Sequence, residues 1–177
     1  MLTEQQLEQI SLLSESFITI VMPHAGTEYQ ASSSSVRETA YRRMIDFGAD
    51  LVVGGHPHWV QNTEVYNEKL IVYSLGNFIF DQQFSSEVRR GIALDVAIDI
   101  PVDEASLHWL EIADSCVGFK DSCQDLAESV KKSNQIDYSF DIIATRTDDL
   151  VTARADEELD ALYERTNWIE TQAALAR

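Results

Sequence analysis

Two short apolar runs, each leading directly into histidine, constrain this chain more than any other feature. The first, FITIVM, ends at Pro23 and continues into His24; the second, LVV, ends at Gly54-Gly55 and continues into His56-Pro57-His58. Both are short, rich in β-branched residues and bounded by Pro or Gly, as buried strands are. Between them, Ser32 to Ser35 reads as a loop ending in an N-cap, and Val36 to Phe47 has helical spacing that stops at Gly48. Strand, loop, helix and strand in that order predict two parallel neighbours in an α/β sheet, joined by a right-handed crossover. Residues just past such strands collect at the carboxyl edge of the sheet, where α/β proteins place their sites.

The remaining elements extend this frame. Thr3 to Ser14 has helical spacing, with Thr3 as N-cap and Leu7, Ile10 and Leu13 on one side. Glu64 to Tyr66 and Leu70 to Leu75 flank Asn67-Glu68 and predict a hairpin. Gly91 to Ile100 and Ser106 to Ile112 read as strands joined by the turn-rich Pro101 to Glu104, so an antiparallel section follows the parallel one. Asp121 to Lys132 and Ala155 to Leu175 read as helix. The expected class is α/β with α+β elements. A boundary near Lys120 divides residues 1–120 from a mainly helical segment, 121–177, of the same chain.

Charge narrows the function classes. The chain has 30 acidic against 13 basic residues, spread along its whole length. A field of that sign repels phosphate backbones and argues against nucleic acid as a partner. Cys116 and Cys123 do not make a disulfide framework. The opening MLTEQQLEQI is polar and acidic, and no apolar run approaches the ~20 residues that span a bilayer. On the sequence alone the expectation is a cytoplasmic chain with no membrane segment.

If the two strands are neighbours, His24, His56 and His58 converge on one rim. In an extended stretch, alternate residues point the same way, so His56 and His58 are expected to face one pocket. Imidazole suits Zn, Fe, Mn or Ni, and an added carboxylate such as Glu28 would favour a harder ion. An HxH pair on a loop is also ordinary turn chemistry, and spacing alone leaves both readings open. His108 sits in a strand pattern away from the others.

The stretch GADLVVGGHPHWVQNTEVYNEKLIVYSLGNFIFDQ closely resembles the bacterial capsule-synthesis family of CapA type, associated with poly-γ-glutamate production. The upstream MPHAGTEY and ETAYRRMIDFGAD resemble that family's HWGxEY loop and following helix, with Ala25 where tryptophan is usual. The resemblance runs in fixed order over residues 17–98 or so. It implies a fold similar to the calcineurin-like metallophosphoesterases, a β-sandwich flanked by helices with metal ions at its strand ends, here followed by a helical C-terminal extension. It further implies His24, His56 and His58 as metal ligands, and Glu28, Asn77 and Asp81 as pocket or orienting groups; for Asn77, a simple turn role after Gly76 is equally open. No catalytic residue is assigned.

The family's opening strand, ending in a GD motif, and its early carboxylate ligands have no counterpart before Phe17. The resemblance is therefore to the family's C-terminal half. Three expectations follow: part of a capsule-synthesis protein with metallophosphoesterase-like chemistry, a metal-binding or assembly module without turnover, or an inactive truncated remnant. The expected cofactor is a divalent metal (Mn, Fe or Zn), bound weakly or absent in this chain. The expected partner is a chain carrying the N-terminal half, or a second copy paired through an open sheet edge. By resemblance, though not by composition, the location is the cell surface or membrane.

Overall fold

The computed structural model describes residues 3–99 and 137–176. Helix α1 (Glu4–Ser14) begins with a capping box, in which the Thr3 side chain accepts from the Gln6 amide and the Gln6 side chain accepts from the Thr3 amide. Strand β1 (Ile20–Val21) and helix α2 (Ser35–Asp46, capped by Ser34) lead to β2 (Leu51–Val53). Next come β3 (Thr63–Tyr66), β4 (Lys69–Val72), the single turn α3 (Ser86–Arg89) and β5 (Arg90–Asp99). The described C-terminal part comprises β6 (Asp137–Asp148), β7 (Val151–Arg154), a 3-10 turn (Asp156–Glu158), α4 (Leu159–Thr166) and α5 (Trp168–Leu175).

The first sheet has the order β1-β2-β4-β3, with β1, β2 and β4 parallel and β3 antiparallel to β4. The two-residue β3–β4 loop has φ of 48° at Asn67 and 63° at Glu68, the left-handed pair that matches strand twist in a tight hairpin. The second sheet, β5-β6-β7, is antiparallel, with β5 and β6 in register from Arg90↔Arg146 to Asp99↔Asp137.

Strand alternation decides what each face buries. Val52, Ile71 and Tyr73 face α1 and α2, packing with Leu7, Ile10, Tyr41 and Met44. Leu51, Val53, Leu70 and Val72 face the other way, onto Ile92, Ile142 and Ala144 of the second sheet and Leu162 and Trp168 of α4 and α5. The chain is thus a mixed α/β structure in which the first sheet is covered by helices on one side and by the second sheet and C-terminal helices on the other.

Several expectations change. The run from Phe17 to Met22 yields only two strand residues, and Ile20 and Met22 are 46% and 72% exposed, because β1 lies at the sheet's edge. Leu13 is exposed, not on the buried side of α1. The stretch 137–154 lies in the segment expected to be mainly helical, but it forms two strands. There Phe140, Ile142 and Ala144 recur with period two and pack on the core cluster. The helix expected from Ala155 to Leu175 breaks at Asn167, whose φ of 56° is left-handed. The strand at Ser106 to Ile112, the turn at Pro101 to Glu104, the helix at Asp121 to Lys132, His108, both cysteines and the Lys120 boundary lie outside the described residues.

Trp168 is fully buried in the cluster joining α5 to both sheets. Trp168→Ala is expected to cost about 3–5 kcal/mol, read as a lowered urea midpoint by far-UV circular dichroism. A loss below about 1 kcal/mol would show that the C-terminal helices do not contribute to this core.

Candidate functional site

Because β1, β2 and β4 are parallel, their carboxyl ends reach one rim. β1 and β2 continue past their last residues through a parallel bridge between His24 and Gly55. The Gly55 amide donates to the Pro23 carbonyl (3.0 Å), and the Ala25 amide donates to the Gly55 carbonyl (3.2 Å). On the other side of β2, the Gly54 amide donates to the Val72 carbonyl (2.7 Å), and the Leu75 amide donates to the Gly54 carbonyl (3.3 Å). Gly54 has to be glycine: an added Cβ would lie 2.2 Å from the Tyr73 carbonyl oxygen and 2.9 Å from the Tyr41 ring. His24 therefore leaves β1, His56 and His58 leave β2, and Asn77 leaves β4, all at the same edge.

The three imidazoles are neighbours. The His24 and His56 rings meet edge-on at 5.0 Å between centroids, and the His56 and His58 rings lie 6.1 Å apart. Tyr29 stacks on His58 at 5.8 Å, and Phe80 covers it at 5.1 Å. The Tyr29 amide donates to the Pro57 carbonyl (2.8 Å), tying the Glu28-Tyr29 turn to the histidine turn.

The histidine turn is not extended. His56 has φ of 94° and His58 has φ of 62°, both left-handed, with Pro57 between them. The expectation that period-two alternation aims both rings is thus corrected: two bends bring them round, not a strand. Non-glycine residues in this region cost of order 1–3 kcal/mol each and cluster at functional sites.

Hydrogen bonding fixes the protonation site of His58. Buried Asn77 donates from Nδ2 to the Val88 carbonyl (2.9 Å), so its Oδ1 faces His58 Nδ1 at 2.8 Å. A carboxamide oxygen only accepts, so the proton of a neutral His58 sits on Nδ1 and Nε2 presents its lone pair. Glu28 Oε1 lies 3.8 Å from that Nε2. This is the arrangement by which a second group orients an imidazole for a metal.

Beneath the His24 loop lies a cation that the sequence reading did not single out. Arg37, on the first turn of α2, is 6% exposed. Its Nη1 donates to the Ala25 carbonyl (2.9 Å), its Nη2 donates to Gln61 Oε1, and the guanidinium lies over the rings of Tyr41 (5.6 Å) and Tyr73 (5.7 Å). Burial pushes its pKa below the ordinary arginine value. Gln61 is itself buried and donates to the carbonyls of Gln30 (2.8 Å) and Ser32 (3.1 Å). No sequence signal pointed to either residue: the burial of Gln61 and Arg37 is set by long-range packing against Tyr73 and the loop at residues 25–32.

Of the residues singled out from sequence, His24, His56, His58, Glu28 and Asn77 lie together. Asp81 is exposed beyond Phe80, with no hydrogen bond or ion pair to the histidines among the described residues. The donors suit a divalent transition ion in kind, above all the His58 nitrogen whose proton is held on the far side of its ring. In arrangement they form a wall: among the described residues, no three His, Cys, Asp or Glu side chains group closely enough to enclose an ion.

Residues 2–82 match the profile of the bacterial capsule synthesis protein family PGA_cap. Over 65 residues the chain is 46% identical to the capsule biosynthesis protein CapA of Bacillus anthracis, a match covering 37% of this chain and 16% of that protein. It is 48% identical over 65 residues to the PGA biosynthesis protein CapA of Bacillus subtilis (strain 168), covering 37% of this chain and 17% of that protein. The match therefore spans only a small part of the curated relatives' length. Over residues 2–82, from α1 through the histidine rim to the loop after Phe80, the chain is similar to the PGA_cap capsule synthesis family.

Proposed function

We propose that this chain supplies the histidine wall of a divalent-metal site in a protein of capsule or poly-γ-glutamate biosynthesis, with chemistry of the metallophosphoesterase kind. The observation that carries this reading is the Val88–Asn77–His58 relay, which leaves a fixed imidazole lone pair at the shared edge of three parallel strands. His58 and His56 would hold the ion, with His24 edge-on beside them and Glu28 at the mouth. A divalent ion bound there supplies Lewis-acid polarisation and water activation. The chain's own part is to fix ring orientation through Asn77 and to cover one face of His58 with Tyr29 and Phe80. The similarity of residues 2–82 to capsule-synthesis proteins supports the biological setting.

Isothermal titration of the full chain with Mn²⁺ tests the site. Saturable binding is expected, weakened at least tenfold in His58→Ala and about 10–100-fold in Asn77→Ala. Unchanged binding in the triple variant His24→Ala, His56→Ala, His58→Ala would overturn the reading. Hydrolysis of bis(p-nitrophenyl) phosphate with Mn²⁺ then separates turnover from binding alone.

The strained turn provides a second measurement. His56→Gly is expected to raise stability by about 0.5–1 kcal/mol, because glycine accepts the left-handed φ freely, while weakening Mn²⁺ binding. His56→Ala keeps the strain and gains nothing. Equal urea midpoints for the two variants would remove strain from the account.

The exposed outer side of β1, with Ile20 and Met22 beside it, suits addition of a further strand. The proposed occupant is a partner chain's strand or that of a second copy. Size-exclusion chromatography with light scattering is expected to show self-association of the isolated chain; a well-behaved monomer would count against pairing through this edge.

A further inference from the structure

A cavity of about 280 Å³ opens at the N-terminus of α2, beside the loop that follows His24. Thr27, Ser32, Ser33 and Ser34 line it, together with Arg37 and Gln61. Two independent features meet here. One is the first turn of a 12-residue helix, whose amides and dipole favour negative charge. The other is Arg37, more than nine-tenths buried, whose Nε has no hydrogen-bond partner and whose two Nη contacts are to neutral oxygens.

A buried guanidinium is ordinarily matched by a carboxylate, because an uncompensated charge in low dielectric is costly. Among the described residues Arg37 makes no ion pair. The adjacent Glu38 carboxylate accepts from the Ser33 hydroxyl (2.6 Å) and acts on the guanidinium through space, less strongly than burial does, without a direct ion pair. Gly26 keeps the loop close over the cation, since an added Cβ there would lie 2.1 Å from Arg37 Nη1.

We propose that this cavity binds a small carboxylate, its oxygens meeting Arg37 and the hydroxyl and amide donors at the start of α2. Charge balance selects the class. One buried cation is neutralised by one carboxylate, whereas a phosphate monoester brings about −1.5 to −2 into a chain whose formal charge is already −17. The cavity exceeds what acetate alone fills and is lined by amide and hydroxyl groups, so a carboxylate carrying a neighbouring amide fits better. This inference does not depend on metal binding at the histidines.

The test follows the amide resonances of Ser32 to Arg37 in the ¹⁵N-labelled full chain, at constant ionic strength, during titration with acetate, N-acetylglycine or inorganic phosphate. Saturable shifts are expected for both carboxylates, tighter for N-acetylglycine than for acetate and weakest for phosphate. Arg37→Met is expected to weaken N-acetylglycine by roughly tenfold or more. Ser32→Leu keeps the cation and narrows the cavity at an exposed position, and it is expected to weaken binding too; it carries the test if Arg37→Met does not fold. Non-saturating shifts for every probe, phosphate binding as tightly as the carboxylates, or unchanged affinity in Ser32→Leu would each overturn the proposal.

Discussion

The structure depends on how closely the backbone can pass at Gly54-Gly55. These two residues bond to β4 on one side and to the end of β1 on the other, through four main-chain hydrogen bonds at 2.7–3.3 Å. Any side chain at Gly54 would drive into the Tyr73 carbonyl and the Tyr41 ring, so the seam closes only with glycine. Once it is closed, His24 is held beside Gly55, and the chain must turn out of the sheet at once. That exit places His56 and His58 at the rim with positive φ.

The same seam decides how stiff the rim is. Tyr41 and Tyr73 stack beneath Gly54 at 5.4 Å, and Arg37 lies over both rings while holding the Ala25 carbonyl. Tyr73 is anchored by its hydroxyl, which donates to Glu64 (2.6 Å), and Arg42 donates to the other oxygen of the same carboxylate (2.8 Å). The loop bearing His24 therefore rests on a packed and hydrogen-bonded layer. A rigid support of this kind is what a strained loop requires if its side chains are to stay aimed.

Much of this was legible in the sequence, for identifiable reasons. The parallel β1–β2 pair, α2 and the β3–β4 hairpin follow from local signals: a Pro or Gly stop, a serine cap and a two-residue turn. What periodicity could not provide was the pairing of β2 with β4. That contact is long-range, and it brings Asn77 to the histidine rim from a third strand end. Nor could spacing distinguish an extended HPH from a doubly bent one, since the bends are set by the seam at Gly54-Gly55. The β6 strand was missed although its alternation is plain from Phe140 to Ala144; polar and acidic neighbours obscured a pattern that burial against β5 makes decisive. Arg37 escaped notice because arginine on a helix's first turn ordinarily reaches solvent, and only a tyrosine pair from two separate elements makes the interior hospitable to it.

The charge layout differs between the histidine rim and the cavity at the start of α2. The imidazole face offers ring-nitrogen donors, with the Glu28 carboxylate 3.8 Å from His58. It sits in a chain of formal charge −17, whose field gathers cations from solution. At the cavity the polarity is reversed: a buried guanidinium and a helix N-terminus adjoin serine and threonine residues, and the Glu38 carboxylate is engaged with Ser33. One residue, Ala25, links the two environments. The Ala25 amide completes the bridge that positions His24, while the Ala25 carbonyl accepts from Arg37. The loop is thus held through the main chain of Ala25, by the Gly55 carbonyl on one side and the Arg37 guanidinium on the other.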